Sequence, residues 1–198
     1  MENSGPKALL RRQITERLKA MSPEDRRAES AAIVRVVENH PVWRAAHCVA
    51  LYAPLPGEVD VWPLVQSGIA SKKRVALPRR VADYDLYELV EVFEGDRDCR
   101  PGRFGIREPR GNLPVIEKDR IGLIFVPGLG FDHAGRRLGR GKGHYDRLVR
   151  GVTAVLCGVA FSRQMVPAIP VESHDVSMKC VVTPEGWFES SDVHSEKR

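Results

Sequence analysis

The sequence predicts an α/β protein, a three-layer αβα sandwich built on a mostly parallel, Rossmann-like sheet. Apolar runs of strand length alternate with segments of helical periodicity, which is the pattern of repeated β-α-β units. Two of these runs, Ile121 to Val126 and Thr153 to Phe161, are almost continuously apolar, as expected of parallel strands buried on both faces. A chain of 198 residues with 42% hydrophobic content can form one sizeable core, so we expect a single domain over residues 1–198.

A first helix is predicted to open at Ser4 and Pro6 and to end near Met21, because its apolar residues recur at helical spacing. Lys7 and Arg11 lie four positions apart in this helix and therefore share one face. From the residues alone they form either an ordinary solvated stripe or a pair of contacts to one anion.

The second predicted helix begins after Ser22, with Pro23 in its first turn and an acidic capping partner behind it, and runs to Asn39. A strand follows from Cys48 to Ala53, and a turn then brings Glu58 to the carboxyl end of that strand. Ligands of open α/β sheets gather at this end. Glu58 could contact such a ligand, or it could cap the helix that follows.

The remaining elements alternate in the same way. They are a helix over Val59–Ala70 and strands over Arg74–Leu77, Leu86–Phe93, Ile121–Val126, Thr153–Phe161 and Cys180–Thr183. Residues Gly95 to Pro114 are rich in Gly, Pro, Arg and Asp, which predicts a long ordered loop or lid. Ser190 to Arg198 should fray as a tail.

Composition narrows the class of protein. No apolar stretch approaches the roughly 20 residues that a membrane helix needs, and the first 20 residues are too polar for a signal peptide, so we expect a cytoplasmic protein without a membrane partner. The four cysteines are widely spaced, which argues against disulfides and structural zinc. A net charge of +5 favours anionic partners without choosing among them. We expect a monomer.

The most informative stretch runs from Val126 to Arg150, between a buried strand and a helical pattern. It is rich in glycines and cations: Gly135, Gly139, Gly141, Gly143, Arg136, Arg137, Arg140, Lys142 and Arg147. Glycines allow backbone N–H groups to approach an anion closely, so this stretch predicts a phosphate-binding loop. Its glycine spacing matches neither the Walker A motif nor the dinucleotide fingerprint.

An ordered set of motifs along the chain resembles the 5-formyltetrahydrofolate cyclo-ligase family, also called methenyltetrahydrofolate synthetases. The loop motif comprises Pro127-Gly128-Leu129, Phe131-Asp132, Gly135, Arg137-Leu138-Gly139, Gly141-Lys142-Gly143 and Tyr145-Asp146. Further matches are Lys7 to Arg11, Glu58, Gly105-Ile106-Arg107-Glu108-Pro109, Gln164, Pro170, His174-Asp175 and Val181-Val182-Thr183. The resemblance covers roughly residues 7 to 186, and several motifs in the same order are far more specific than one glycine loop.

The resemblance implies an ATP-dependent ligase that converts 5-formyltetrahydrofolate, with or without a polyglutamate tail, into 5,10-methenyltetrahydrofolate. In this reaction N10 attacks the formamide carbon and the formamide oxygen must leave, which it does poorly as hydroxide. Transfer of a phosphoryl group from ATP to that oxygen removes the difficulty, so the protein contributes positioning and electrostatics rather than a nucleophile.

The resemblance also implies roles for individual residues. The ATP contacts are Lys7, Arg11, Arg137, Leu138, Gly139, Arg140, Gly141, Lys142, Gly143, His144 and Tyr145. The folate contacts are Glu58, Arg140, Gly141, Lys142, Gly143 and His144. The catalytic residues are Lys142, Arg140 and Tyr145, and the Mg²⁺ ligands are Asp146 and Asp175. His144 and Lys179 differ from the family's common residues, and His144 is not assigned an acid–base role because this position is usually tyrosine.

Other interpretations remain open at this point. Without the resemblance, Asp146 would be read as a helix N-cap, Asp175 as a turn residue and Tyr145 as part of the core. For the whole chain, the alternatives are an ATP-binding paralogue that acts on another small molecule and a nucleic-acid-binding module that uses the basic loop. The second is the weaker, because only two aromatic residues lie near the cations where stacking on bases would require more.

Overall fold

The structure is a computed structural model, and it describes residues 5–81, 86–102 and 107–191. Within these residues the helices are α1 (Pro6–Lys19), α2 (Pro23–Asn39), α3 (Pro41–Ala45), α4 (Trp62–Ala70) and α5 (His144–Val149). The main sheet contains β1 (Cys48–Ala50), β2 (Arg74–Val81), β3 (Leu86–Val92), β6 (Leu123–Pro127), β9 (Val155–Val159), β10 (Cys180–Thr183) and β11 (Gly186–Glu189). Two short hairpins add β4 (Cys99–Pro101), β5 (Arg107–Pro109), β7 (Gly130–Phe131) and β8 (Arg137–Leu138).

The sheet has the order β11-β10-β9-β6-β1-β2-β3. Its five central strands are mutually parallel, whereas β3 and β11 are antiparallel edge strands. From β1 the chain crosses to β2 on one side, and from β6 it crosses to β9 on the other. The connections that follow β1 and β6, two neighbouring strands, therefore run in opposite directions. The gap between these two strands is the switch point, where open α/β sheets bind ligands.

Both faces of the sheet are buried, as the sequence predicted. Along β6, Leu123 and Phe125 pack into one apolar cluster with α1 and α2, and Ile124 and Val126 pack into another with α5. Because alternate residues of a strand point to opposite faces, this division places helices on both sides of the sheet. The predicted α/β three-layer architecture is confirmed.

Local signals explain where the helices begin. Ser22 and Asp25 form a reciprocal capping box at the start of α2, with the Ser22 hydroxyl accepting a hydrogen bond from the Asp25 amide at 3.0 Å. Helix α4 begins at Trp62 rather than at Val59, because the Asp60 carboxylate accepts from the Trp62 amide at 3.0 Å. Glu58 is consequently not a cap of this helix.

Several elements differ from the sequence prediction. The segment Gly95–Pro114, predicted as a long ordered loop or lid, contains regular elements that were not predicted, namely a 3₁₀ turn at Gly95–Asp98 and the β4–β5 hairpin. Strand β11 was not predicted. Its pairing with β10 continues into Ser190, whose amide donates to the Lys179 carbonyl at 2.9 Å. The predicted fraying is therefore wrong at Ser190, which is buried.

Some predicted features fall outside the described residues, namely Ser4 at the start of the first helix, Gly105-Ile106 of the loop motif and residues 192–198 of the tail. The four cysteines are buried free thiols. In the part of the chain that the structure describes, no helix combines the length and apolar character that crossing a membrane requires.

Candidate active site

A cavity of about 1110 Å³ lies at the switch point of the sheet. Its floor is formed by the segments that leave the carboxyl ends of β1 and β6, including Ala53, Glu58, Pro127 and Gly128. The amino-terminal turn of α1 and the glycine-rich stretch also line it. Loops collect here because every parallel strand of the central sheet ends on this edge.

The glycine-rich stretch is anchored at its base by Asp132, whose side chain has no exposed surface. One carboxylate oxygen accepts from the amides of Ala134 and Arg136 at 3.1 and 3.0 Å. The other accepts from the Ile169 amide at 2.8 Å and lies 2.8 Å from Nε of Arg136. Arg136 is thus held at the base of the loop by an ion pair.

A second buried ion pair lies deeper in the site. Arg137 is only 6% exposed, and its guanidinium donates to the Asp146 carboxylate at 2.8 Å and to the Pro127 carbonyl at 3.2 Å. Gln164 supports the same wall by donating to the Gly128 carbonyl at 2.8 Å. The Arg137 side chain therefore ties Asp146 of α5 to the end of β6.

The tip of the loop carries the two cations that face the cavity without such burial. The Lys142 ammonium has no hydrogen bond or ion pair with any residue that the structure describes, and the Arg140 guanidinium makes a 3.4 Å ion pair with Glu58. Gly141 and Gly143 have φ values of +98° and +63°, which β-carbon-bearing residues rarely adopt. The loop thus presents exposed positive charge on a tightly turned backbone.

Glu58 is a largely buried carboxylate at the end of the turn after β1. Burial raises its pKa above the ordinary value, and this outweighs the opposing effects of the Leu55 amide, which donates to it at 3.0 Å, and of Arg140. A carboxylate whose charge is this poorly solvated is suited to accept hydrogen bonds from a ligand that enters the cavity.

Across the cavity, Lys7 of α1 is held by two carboxylates. Its ammonium lies 2.6 Å from Asp175 and 3.2 Å from Glu172. Burial lowers the pKa of Lys7, but the hydrogen bonds and charges of these carboxylates outweigh it and the pKa lies above its ordinary value. At Asp175, burial raises the pKa, but the hydrogen bonds from Lys7 and from the Glu172 amide outweigh it, so the pKa lies below its ordinary value. One turn further along α1, Arg11 donates to the Gly139 carbonyl at 2.9 Å and so joins the helix to the glycine loop.

Aromatic and imidazole rings complete the wall between loop and sheet. The rings of His144 and Tyr87 meet edge to face, with centroids 5.3 Å apart. Burial, with a smaller contribution from the charge of Glu58, raises the pKa of Tyr145, so this phenol stays protonated at neutral pH. Tyr145 is therefore able to donate a hydrogen bond within the cavity.

The donor set limits how a metal ion would bind. The described residues contain no cluster of three or more His, Cys, Asp or Glu side chains that could hold a metal ion. Asp146 and Asp175 both line the cavity, and the hydrogen bonds made to each by described residues use one carboxylate oxygen. Mg²⁺ is commonly bound by one or two carboxylates together with substrate phosphates, and this arrangement fits that pattern.

The cavity brings together every residue that the sequence analysis assigned to ATP, folate or metal. All of them line it: Lys7, Arg11, Glu58, Arg137, Leu138, Gly139, Arg140, Gly141, Lys142, Gly143, His144, Tyr145, Asp146 and Asp175. Sequence reasoning missed Arg80, Tyr87 and Glu172, which also line the cavity. Of these three, only Glu172 could have been predicted from the sequence, because it lies next to the His174-Asp175 motif.

Comparisons with known proteins agree with this geometry. Residues 3–184 match the model of the 5-formyltetrahydrofolate cyclo-ligase family. The Escherichia coli (strain K12) 5-formyltetrahydrofolate cyclo-ligase is 29% identical over 89% of this chain and 99% of its own length. The Mycolicibacterium smegmatis enzyme of the same name is 35% identical over 69% of this chain and 73% of its own.

Solved structures show the same fold. The NMR structure of 5,10-methenyltetrahydrofolate synthetase from Aquifex aeolicus has a TM-score of 0.83 at 31% identity and covers 97% of this chain and 96% of that one. The Mycoplasma pneumoniae synthetase has a TM-score of 0.72 at 22% identity, covering 91% and 99%, and supports the fold alone. With a match that spans nearly its whole length, this chain belongs to the 5-formyltetrahydrofolate cyclo-ligase family of enzymes.

Proposed function

We propose that this protein converts 5-formyltetrahydrofolate into 5,10-methenyltetrahydrofolate, consuming ATP in a Mg²⁺-dependent reaction and releasing ADP and phosphate. The observation that carries the proposal is the convergence of Lys7, Glu58, Lys142 and Asp146 on one cavity, although they lie up to 139 positions apart in the chain. The cavity volume of about 1110 Å³ exceeds the roughly 300–1,000 Å³ typical of a site for one small ligand. We therefore expect both substrates to share this cavity.

The chemistry divides the cavity into two regions. Glu58 and Arg140 lie on the side of the turn after β1, where a buried carboxylate can hold the polar edge of a pterin. Lys7 and Arg11 lie on the side of α1, where cations suit a triphosphate. Lys142, at the tip of the loop between them, is in place to neutralise the phosphoryl group as it moves from ATP to the formyl oxygen.

After this transfer, N10 attacks the activated carbon and the oxygen leaves as phosphate, so no protein nucleophile is needed. Tyr145, a phenol that is protonated at neutral pH and whose pKa burial raises further, can donate a hydrogen bond to the formyl or phosphate oxygen. Asp146 and Asp175 would hold Mg²⁺, which when bound would neutralise phosphate charge. Arg137 keeps Asp146 in place, and Lys7 would exchange Asp175 for phosphate as the nucleotide enters.

The test is to incubate the protein with ATP, MgCl₂ and 5-formyltetrahydrofolate and to record the absorbance of the methenyl product together with ADP. We expect both to appear in equal amounts, and to disappear when ATP or MgCl₂ is omitted. If folded protein binds ATP but forms no methenyl product, the folate assignment fails. ADP formation with another small molecule would then favour the paralogue alternative.

The nucleic-acid alternative is weakened by the loop geometry, because two cations of the basic run, Arg136 and Arg137, are already ion-paired with Asp132 and Asp146, which leaves fewer exposed cations for a phosphate backbone. We expect duplex DNA to bind no tighter than the non-specific range, with Kd about 10⁻⁴ to 10⁻⁶ M at physiological salt. Nanomolar, sequence-selective binding in a mobility-shift titration would reverse this ranking. The single domain and the monomeric state remain predictions, to be checked by limited proteolysis and by light scattering.

A further inference from the structure

We propose that Arg147 is a positioning residue. It holds Lys142 and His144 of the glycine loop in the positions from which they line the cavity. Arg147 lies on α5, is exposed, and is not part of the cavity wall formed by the described residues. Whatever it contributes to the reaction must therefore act through the residues it contacts. The inference rests on the proposed function for its activity test, and a nucleotide-binding test makes it separable.

Arg147 contacts three consecutive residues of the loop. Its Nη1 donates to the Lys142 carbonyl at 3.1 Å, and its backbone amide donates to the Gly143 carbonyl at 3.1 Å. Its Nη2 lies 3.0 Å from Nδ1 of His144. A guanidinium has donors only, so Nδ1 is the acceptor in this last contact. The amide bond is the ordinary bond of the first turn of α5 and would persist in any variant except proline, so the side chain itself holds the Lys142 carbonyl and the ring of His144.

The backbone at Gly143 explains why such a brace is needed. Gly143 has a φ of +63°, and this left-handed turn reverses the chain between Lys142 and α5. A β-carbon at this position would lie 3.3 Å from Nη1 of Arg147, so the guanidinium packs directly over the turn. Glycine is conformationally permissive, and a glycine turn without a brace would let the Lys142 side chain sample many positions.

The contacts require arginine rather than any cation. Nη1 and Nη2 of one planar group reach two acceptors that belong to different residues, Lys142 and His144. Lysine carries a single ammonium on a flexible stem and does not reproduce this fixed fork. The ring of His144 in turn packs against Tyr87, so the brace also sets one part of the cavity wall.

The first experiment compares Arg147→Gln and Arg147→Lys with wild type. A matched control is Arg44→Gln, since Arg44 is also exposed and donates to two neighbouring groups, the Glu38 carbonyl and the Asn39 side chain, away from the cavity. Both Arg147 variants should keep the wild-type melting temperature and lose about 10- to 100-fold in kcat, because small displacements of a catalytic group cost that much. Full activity in Arg147→Lys would overturn the proposal.

The second experiment asks whether Arg147 acts through Lys142. In a Lys142→Ala background, the loss of kcat caused by Arg147→Gln should shrink by at least about threefold, because residues that act as one unit are not additive. A loss of the same size in both backgrounds would show that Arg147 acts elsewhere.

A third measurement does not depend on the folate. Binding of a non-hydrolysable ATP analogue, followed by calorimetry, should weaken in Arg147→Gln and remain unchanged in Arg44→Gln. If wild type forms no methenyl product, the proposed function fails, but this binding measurement still tests whether Arg147 positions the glycine loop. Unchanged analogue affinity in Arg147→Gln would then overturn the inference.

Discussion

Removal of the Asp132 carboxylate should strongly destabilise the protein, because this side chain connects two segments of the site. It accepts hydrogen bonds from the amides of Ala134, Arg136 and Ile169 and is also the ion-pair partner of the Arg136 guanidinium. The side chain has no exposed surface, so water cannot replace it without local opening. Asp132→Ala is therefore a sensitive perturbation of the base of the loop.

The magnitude follows from the partners left behind. A buried donor left without its acceptor costs about 1–3 kcal/mol, and three amides lose theirs, whereas the Arg136 side chain is 31% exposed and can be solvated. The total loss should be roughly 3–5 kcal/mol or more. At roughly 2–4 °C per kcal/mol for a chain of this size, the melting temperature should fall by about 6–20 °C. Asp132→Asn keeps one carbonyl oxygen for Ala134 and Arg136 but turns an NH₂ group toward the Ile169 amide. It should lose roughly 1.5–3 kcal/mol, the value of a hydrogen bond to a charged group.

The assay is urea unfolding of both variants alongside Asp119→Ala, which removes an exposed aspartate from the turn at Lys118–Arg120. The control should remain within about 0.5 kcal/mol of wild type, as surface substitutions usually do. If Asp132→Ala unfolds at the same urea concentration as the control, the reasoning is refuted, because the three amides would then have found other partners at no cost.

Two further predictions concern the ligands. Lys7→Ala and Lys142→Ala should each lower turnover by roughly 10²- to 10³-fold. The double variant should lose clearly less than the product of the two single losses, since both lysines act on the same phosphates. Multiplicative losses in steady-state kinetics would contradict a shared site. Glu58→Gln should raise the melting temperature of the ligand-free protein near pH 7 while weakening folate binding. A raised carboxyl pKa means that the folded state resists ionisation, so the gain should appear above the ordinary pKa of 4.5 and vanish below it. Equal melting temperatures of wild type and Glu58→Gln at pH 7 would argue against a strained carboxylate.

Sequence patterns predicted most of the central elements well. The five central strands and helices α1, α2 and α4 were predicted within a few residues, because a strand buried on both faces and a capped amphipathic helix each leave a local signature. Strand β11 and the β4–β5 hairpin were missed. Both are short edge or satellite elements whose pairing partners, rather than their own composition, make them strands.

The site divides in the same way. Local composition predicted a phosphate-binding loop around Lys142, because glycines and cations close together in sequence are recognised locally. Roles for Lys7 and Glu58 came only from the resemblance to the family, since the residues alone left each with a second interpretation. The sequence could not show which cations serve the ligand. Arg136, Arg137 and Arg147 belong to the same basic run as Lys142, and local composition alone does not distinguish them from it.

The tertiary structure separates these cations by giving each its partner. Arg136 is held by Asp132 and Arg137 by Asp146, whereas Arg147 braces the loop beside Lys142. The role of a charged side chain depends on which opposite charge or carbonyl lies within about 3 Å, and the Coulomb energy of such a pair is set by distance and burial. Neither quantity is encoded in local composition. The amino-acid sequence therefore determined the fold class and the family, and the packing of distant segments decided which of the cations are held by carboxylates and which are not.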